Sequence, residues 1–205
     1  MIRLSVFLAG LLVSFAAQAI DLENGKRLHR SCALCHGQLS QGTNDGKYPR
    51  LAGMREDYMI KQMEDYKEGV RNNLTMTLVG RIKTMSETDM EDVAAYIRSI
   101  NLKSKEYTLN IPTAKGDIAK GKEFFMDECK TCHGRKAQGI ARKGAPMLAG
   151  QYTAYLMGQI ELFKANAKAQ DGGRYHDNDE DDETFEEYSE KDLQDILAFI
   201  STLDD

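Results

Sequence analysis

Residues 32–71 read CALCHGQLSQGTNDGKYPRLAGMREDYMIKQMEDYKEGVR, and residues 129–168 read CKTCHGRKAQGIARKGAPMLAGQYTAYLMGQIELFKANAK. They superimpose without a gap at an offset of 97. Cys32, Cys35, His36 and Gly37 then pair with Cys129, Cys132, His133 and Gly134, and Tyr58 and Gln62 pair with Tyr155 and Gln159. The pattern P-x-L-A-G also recurs, from Pro49 to Gly53 and from Pro146 to Gly150. The chain is a tandem duplication, so its fold is one unit used twice.

Each unit closes alike at a second offset, 103: MSETDMEDVAAYIRSI (85–100) matches YSEKDLQDILAFISTL (188–203). Met90, Val93, Ala94, Ile97 and Ile100, and their partners Leu193, Ile196, Leu197, Ile200 and Leu203, fall on one apolar helical face. Ser86-x-x-Asp89 and Ser189-x-x-Asp192 open these helices with capping-box spacing. The change of offset means that the second unit has gained six residues, in the acidic loop before Ser189.

Upstream, short helices are expected over Leu22–Ser31 and Ile118–Glu128, and middle helices over Glu56–Glu68 and Tyr152–Asn166. Pro112 and the residues around it read as a linker, and nothing alternates long enough to build a sheet. The reading is all-α: 1–19 an export signal, 20–104 the first unit, 105–115 the linker, 116–205 the second unit. Units this small, with long loops, bury little apolar surface by themselves. A large flat cofactor wrapped by the loops would complete each core.

Arg3, the apolar run Leu4–Ala17 and the site Ala17-Gln18-Ala19 make the signal, with cleavage expected before Ile20. The run is 14 residues, short of the roughly 20 a spanning helix needs, so no stable transmembrane anchor is expected. The formal charge of −5 is unevenly spread. Residues 20–110 carry 14 basic and 13 acidic side chains, and residues 111–205 carry 12 and 19. That balance disfavours nucleic acid and favours a partner with a basic docking face.

All four cysteines stand in the two C-x-x-C-H motifs. Disulfides would suit an exported chain but give no reason for a histidine after each pair. A zinc site can use two C-x-x-C pairs, yet each repeated unit has its own histidine. The pattern reads as two covalent haem c groups, held through Cys32 with Cys35 and Cys129 with Cys132, with His36 and His133 under the irons.

With these motifs, the P-x-L-A-G loops and the terminal helices carrying Tyr96 and Phe199, nearly all of the mature sequence resembles the dihaem cytochromes c of the c4 type, two class I cytochrome c domains in tandem. The resemblance implies helices wrapped around haem, face-to-face packing of the domains and one-electron transfer in the periplasm. It also implies that the loops carrying Pro49 and Pro146 orient the proximal histidines through a backbone carbonyl.

The resemblance further implies a distal methionine in the loop before the terminal helix. In the first unit that is Met76, with Met85 better suited to packing. The second unit has no methionine after Gly158. Met76 projects to positions 173 and 179 at the two offsets, and His176 lies between them. His176 is read as the distal ligand; the alternatives are an exposed loop residue, an iron left open, and a different ligand. Methionine/histidine ligation raises the potential, which would set the first haem above a bis-histidine second haem. His29, on the first helix, is read as a packing or exposed residue. Asp177, Asp179 and Asp181 match the start of a calcium loop, but Asp182 and Tyr188 replace its glycine and closing glutamate.

The expected function is a periplasmic electron carrier between redox proteins, one electron per haem, and not an enzyme. The alternatives are an enzymatic or small-ligand-binding second haem, or a cytochrome subunit of a larger dehydrogenase. Dihaem thiosulfate dehydrogenases resemble the chain in outline but use a cysteine ligand, and here no cysteine is spare.

Overall fold

The computed structural model describes residues 19–169, 176 and 185–203, with the side chains of 166–169 excepted. The expected signal up to Gln18, the projected positions 173 and 179 and the acidic stretch 177–183 lie outside the described residues. The first half contains α1 (Leu22–His36), α2 (Glu56–Glu68) and α3 (Glu87–Ser99). The second contains α4 (Ile118–Phe124), α5 (Lys130–His133), α6 (Thr153–Ala169) and α7 (Glu190–Ile200). Among the described residues there is no strand, only an isolated bridge between Ile140 and Ala145, and no helix is long and apolar enough to cross a membrane.

Both halves are built on one crossing of first and last helix. Asp21 caps α1 by accepting from the amides of Glu23 and Asn24, and Asp117 caps α4 by accepting from Ala119 and Lys120. The cap residues' own amides donate to buried carboxylates on the last helix, Asp21 to Asp92 at 2.8 Å and Asp117 to Asp195 at 2.7 Å. At the crossing the contact is backbone on backbone. A Cβ on Gly25 would lie 2.1 Å from the Asp92 carbonyl oxygen, and one on Gly121 would lie 1.8 Å from that of Asp195. Only glycine allows this approach. Both expected capping boxes are present, with Ser86 and Ser189 accepting from the amides of Asp89 and Asp192.

The expected first helices were too short. α1 runs on through both cysteines to His36, because its break is set by Gly37, whose φ of 83° and ψ of 157° suit only glycine. In the second half, α4 passes through a π-helical turn, Phe125–Cys129, into α5. The sequence supplies the cause: Asp21 stands 11 residues before Cys32, but Asp117 stands 12 before Cys129. The extra residue is taken up as a π-bulge, and both the cap and the cysteines keep their places.

The halves meet through the loops that follow the C-x-x-C-H motifs. The Gln151 side chain clamps the backbone of Arg50, accepting from its amide at 3.0 Å and donating to its carbonyl at 2.9 Å. Arg50 is buried there, its Nε donating to Ala52 and its Nη1 to Gly150. Tyr152 donates to the Gln41 carbonyl, Arg55 to that of Ala145, and Met147 packs against the cores of both halves.

Candidate haem sites

One continuous groove runs between the halves. It is lined by both C-x-x-C-H motifs, by Met76 and by His176, so all eight residues expected to hold the haems border the same space.

On one wall, His36 is buried at the end of α1, and its Nδ1–H donates to the Pro49 carbonyl at 2.8 Å. Its Nε2 is buried without a hydrogen-bond partner. A buried imidazole nitrogen left unpaired is costly, and a metal–nitrogen bond satisfies it. His133 repeats the arrangement, donating from Nδ1 to the Pro146 carbonyl at 2.9 Å. Burial pushes the His133 pKa down to about 4, with nearby His176 acting the same way against the Pro146 bond, and burial lowers that of His36. Both rings are therefore neutral at pH 7, the form that binds a metal.

The thiols behave as thiols. Burial pushes Cys129 up to about 11, helped by the charge of Glu128, and raises Cys32 as well. All four cysteines are free. Among the described residues no three His, Cys, Asp or Glu gather as a metal site, which leaves the zinc reading without a ligand set. The donor set fits haem c, with two free thiols and a neutral imidazole from each half.

The proximal loops are anchored identically by different chemistry. Ser40 and Ala137 both take positive φ, 51° and 53°. The Ser40 carbonyl accepts from the amides of Leu51 and Ala52, and that of Ala137 from Leu148 and Ala149. This ties down the segment that follows each proline. Behind Ser40 stands His29, 4% exposed, its Nε2 paired with the Ser40 hydroxyl at 2.7 Å and its ring 5.2 Å from Tyr96. Behind Ala137 stands Phe125, 5.4 Å from Phe199. Of the two roles read for His29, packing or exposure, it has the first.

On the opposite wall, Met76 sits in a π-helical turn, Thr75–Val79, and packs against the cluster of Tyr66, Ile82, Met85 and Met90. Met85 is 4% exposed within that cluster. His176 is half-buried between Phe163 and Phe185, at 5.5 and 4.7 Å between ring centres. Its ring lies 6.0 Å from that of His133, with 26° between their planes.

Paired helical halves, each with two thiols and a neutral histidine on a common groove, define a class: a two-haem, electron-carrying c-type cytochrome. The cytochrome c family model matches residues 22–101 and again 118–204. Cytochrome c4 of Pseudomonas aeruginosa is 32% identical over 170 residues, covering 78% of this chain and 80% of that protein. A thiosulfate dehydrogenase electron acceptor of Thiomonas intermedia is 31% identical, covering 69% and 66%. The reduced cytochrome c4 structure from Pseudomonas stutzeri superimposes with a TM-score of 0.71 at 28% identity, covering 90% of this chain and all of that one. The chain belongs to the cytochrome c family, as a dihaem cytochrome of the c4 type with two covalently bound haem c groups.

Some residues of the site escaped sequence reasoning. Gly25 with Asp92 and Gly121 with Asp195 repeat at offsets of 96 and 103, a signal that was available. The burial of Arg50 had none, because its counterpart is Met147.

Proposed function

We propose that Cys32 and Cys35 with His36 and Met76 would hold the first haem, and Cys129 and Cys132 with His133 and His176 the second. The observation that carries the second assignment is the His133–His176 ring pair. Two imidazoles on opposite sides of one metal, with bonds of about 2 Å and about 1.1 Å from nitrogen to ring centre, stand about 6 Å apart. The 6.0 Å separation and nearly parallel planes match that arrangement. Met76 is supported by its place in the groove and by Met85, whose side chain is already committed to packing.

The haem supplies a one-electron change at iron. The chain fixes the rest: Pro49 and Pro146 hold the proximal rings and make them more basic, while the clamp of Gln151 on Arg50 sets one half against the other. With methionine on one iron and histidine on the other, the first haem has the higher potential. The two sites would then form a relay rather than a symmetric two-electron store.

In this reading the protein is exported to the periplasm after cleavage before Ile20, with one cytochrome domain over 20–104 and another over 116–205. It docks a basic partner face through its acidic second half. Two relatives named as thiosulfate dehydrogenase electron acceptors support a role as acceptor for a dehydrogenase, rather than as the enzyme itself.

The test is electron paramagnetic resonance of the ferric holoprotein. Wild type should give one histidine/methionine and one bis-histidine low-spin signal, and His176→Ala should convert the second to high spin. A high-spin second haem in wild type, or an unchanged variant, would show that His176 is not a ligand.

A further inference from the structure

Arg71 lies in the groove between the halves, at the end of the segment that follows α2, and it is half-buried. Its Nη1 donates to Gln62 Oε1 at 2.6 Å, and its Nη2 donates to Gln159 Oε1 at 2.9 Å. Gln62 and Gln159 are the same residue of the duplicated unit. The guanidinium also lies 4.4 Å from the centre of the Tyr66 ring, with Tyr155 close by. One arginine from the first half is thus held by matching amides, one from each half.

Its described partners are all neutral at pH 7. Two other arginine and lysine side chains of the groove do have carboxylates, Arg55 with Asp57 and Lys61 with Asp65. Among the described residues no carboxylate meets Arg71. A guanidinium is always charged and presents a planar fork matched to carboxylates. In a groove that would take two haems, each bearing propionate carboxylates, the cofactors would bring anions of the kind this fork fits.

We propose that Arg71 is the common counter-cation of the two haems. It is held by both halves so that its charge acts on haem carboxylates from each side and ties the two reduction potentials together. A cation near an iron disfavours the more positive, oxidised state and so raises the potential. Partial desolvation strengthens the effect relative to water. Since the Arg71 charge is shared, altering it must move both haems in the same direction. The inference needs only two haems in the groove and is independent of which side chains are the distal ligands.

The experiment is spectroelectrochemical titration of holoprotein, wild type against Arg71→Met and Arg71→Lys, with intact mass confirming two haems and the low-spin spectrum confirming unchanged ligation. Arg71→Met should lower both potentials, raising the oxidised-to-reduced ratio of each haem about tenfold at a fixed applied potential, or about 59 mV for a one-electron couple. Arg71→Lys, which keeps the charge, should change either ratio less than about threefold. A shift at one haem only, or at neither, overturns the proposal. Should Arg71→Met fail to retain both haems, Gln159→Leu decides. Releasing the guanidinium from the second half should lower the second potential more than the first, and equal or absent shifts overturn the proposal.

Discussion

Behind the proximal loop of the first half lies a polar set, His29, Ser40 and Tyr96; behind that of the second lies an apolar one, Phe125, Ala137 and Phe199. The backbone does not register the difference. Ser40 and Ala137 share a left-handed φ, and each carbonyl accepts two amides from the segment that follows the proline. Anchoring is therefore a backbone task, and the side chains behind it can change if they change together. On the other side of the groove, by contrast, the residues proposed to meet the irons differ: a methionine in a π-helical turn, and a histidine between two phenylalanines. One difference is structural paraphrase, and on the proposed ligation the other would alter chemistry.

The largest effect should come from erasing the second difference. His176→Met should raise the potential of the second haem toward that of the first, by on the order of 0.1–0.3 V within the roughly 0.8 V that axial ligands command. Potentiometric titration reads this directly. A second potential that stays put would mean that the halves differ for reasons other than the ligand.

Next comes a feature the halves share. Gly25→Ala and Gly121→Ala each force a Cβ against a backbone carbonyl that cannot swing aside. Each should cost about 3 kcal/mol or more, at the upper end of overpacking, measured by denaturant unfolding of the holoprotein. Similar losses would show that one helix crossing supports both units. A tolerated Gly121→Ala would show that the π-bulge lets the second half yield.

These features also mark what the sequence could disclose. The C-x-x-C-H motifs, the gapless repeat, the two capping boxes and the middle helix Glu56–Glu68 were all legible, because each rests on local spacing. The extension of α1 to His36 was not, since the helix end depends on the conformation of Gly37 rather than on apolar periodicity. The π-bulge was visible only as one added residue between Asp117 and Cys129. Arg71 was hidden because its partners come from both copies, one of them 88 residues away.

A smaller effect should separate the polar set from the apolar one. His29→Phe leaves the Ser40 hydroxyl buried without its partner, at a cost of about 1–3 kcal/mol. Adding Ser40→Ala, as in the second half, should recover most of it. There is a pH signature as well. Burial, with His36 nearby, holds the His29 pKa below its ordinary value. The unfolded chain then binds the extra proton first, and stability falls as pH drops below about 6.5, with no contribution above it. The double variant should lose that part of the slope. If single and double variants are equally unstable, the two sets are not interchangeable.

The smallest effect concerns charge. Residues 111–205 carry seven more acidic than basic side chains, whereas residues 20–110 are about neutral, so a basic partner should be steered toward the second half. Steering acts on encounter more than on the settled complex, so it should appear in the association rate. Exposed charges are screened over roughly 8 Å at physiological ionic strength, and the rate with such a partner should fall as salt rises. Replacing Asp179, Glu180, Asp181 and Asp182 by the corresponding amides should slow association at low salt several-fold and flatten its salt dependence, while leaving both potentials nearly unchanged. Neutralising Glu64, Glu68, Glu87 and Glu91 of the first half should do much less. Stopped-flow electron transfer at several ionic strengths separates the two sets. Equal effects from both would mean that net charge governs encounter, and that the acidic residues of the second half have no special place in docking.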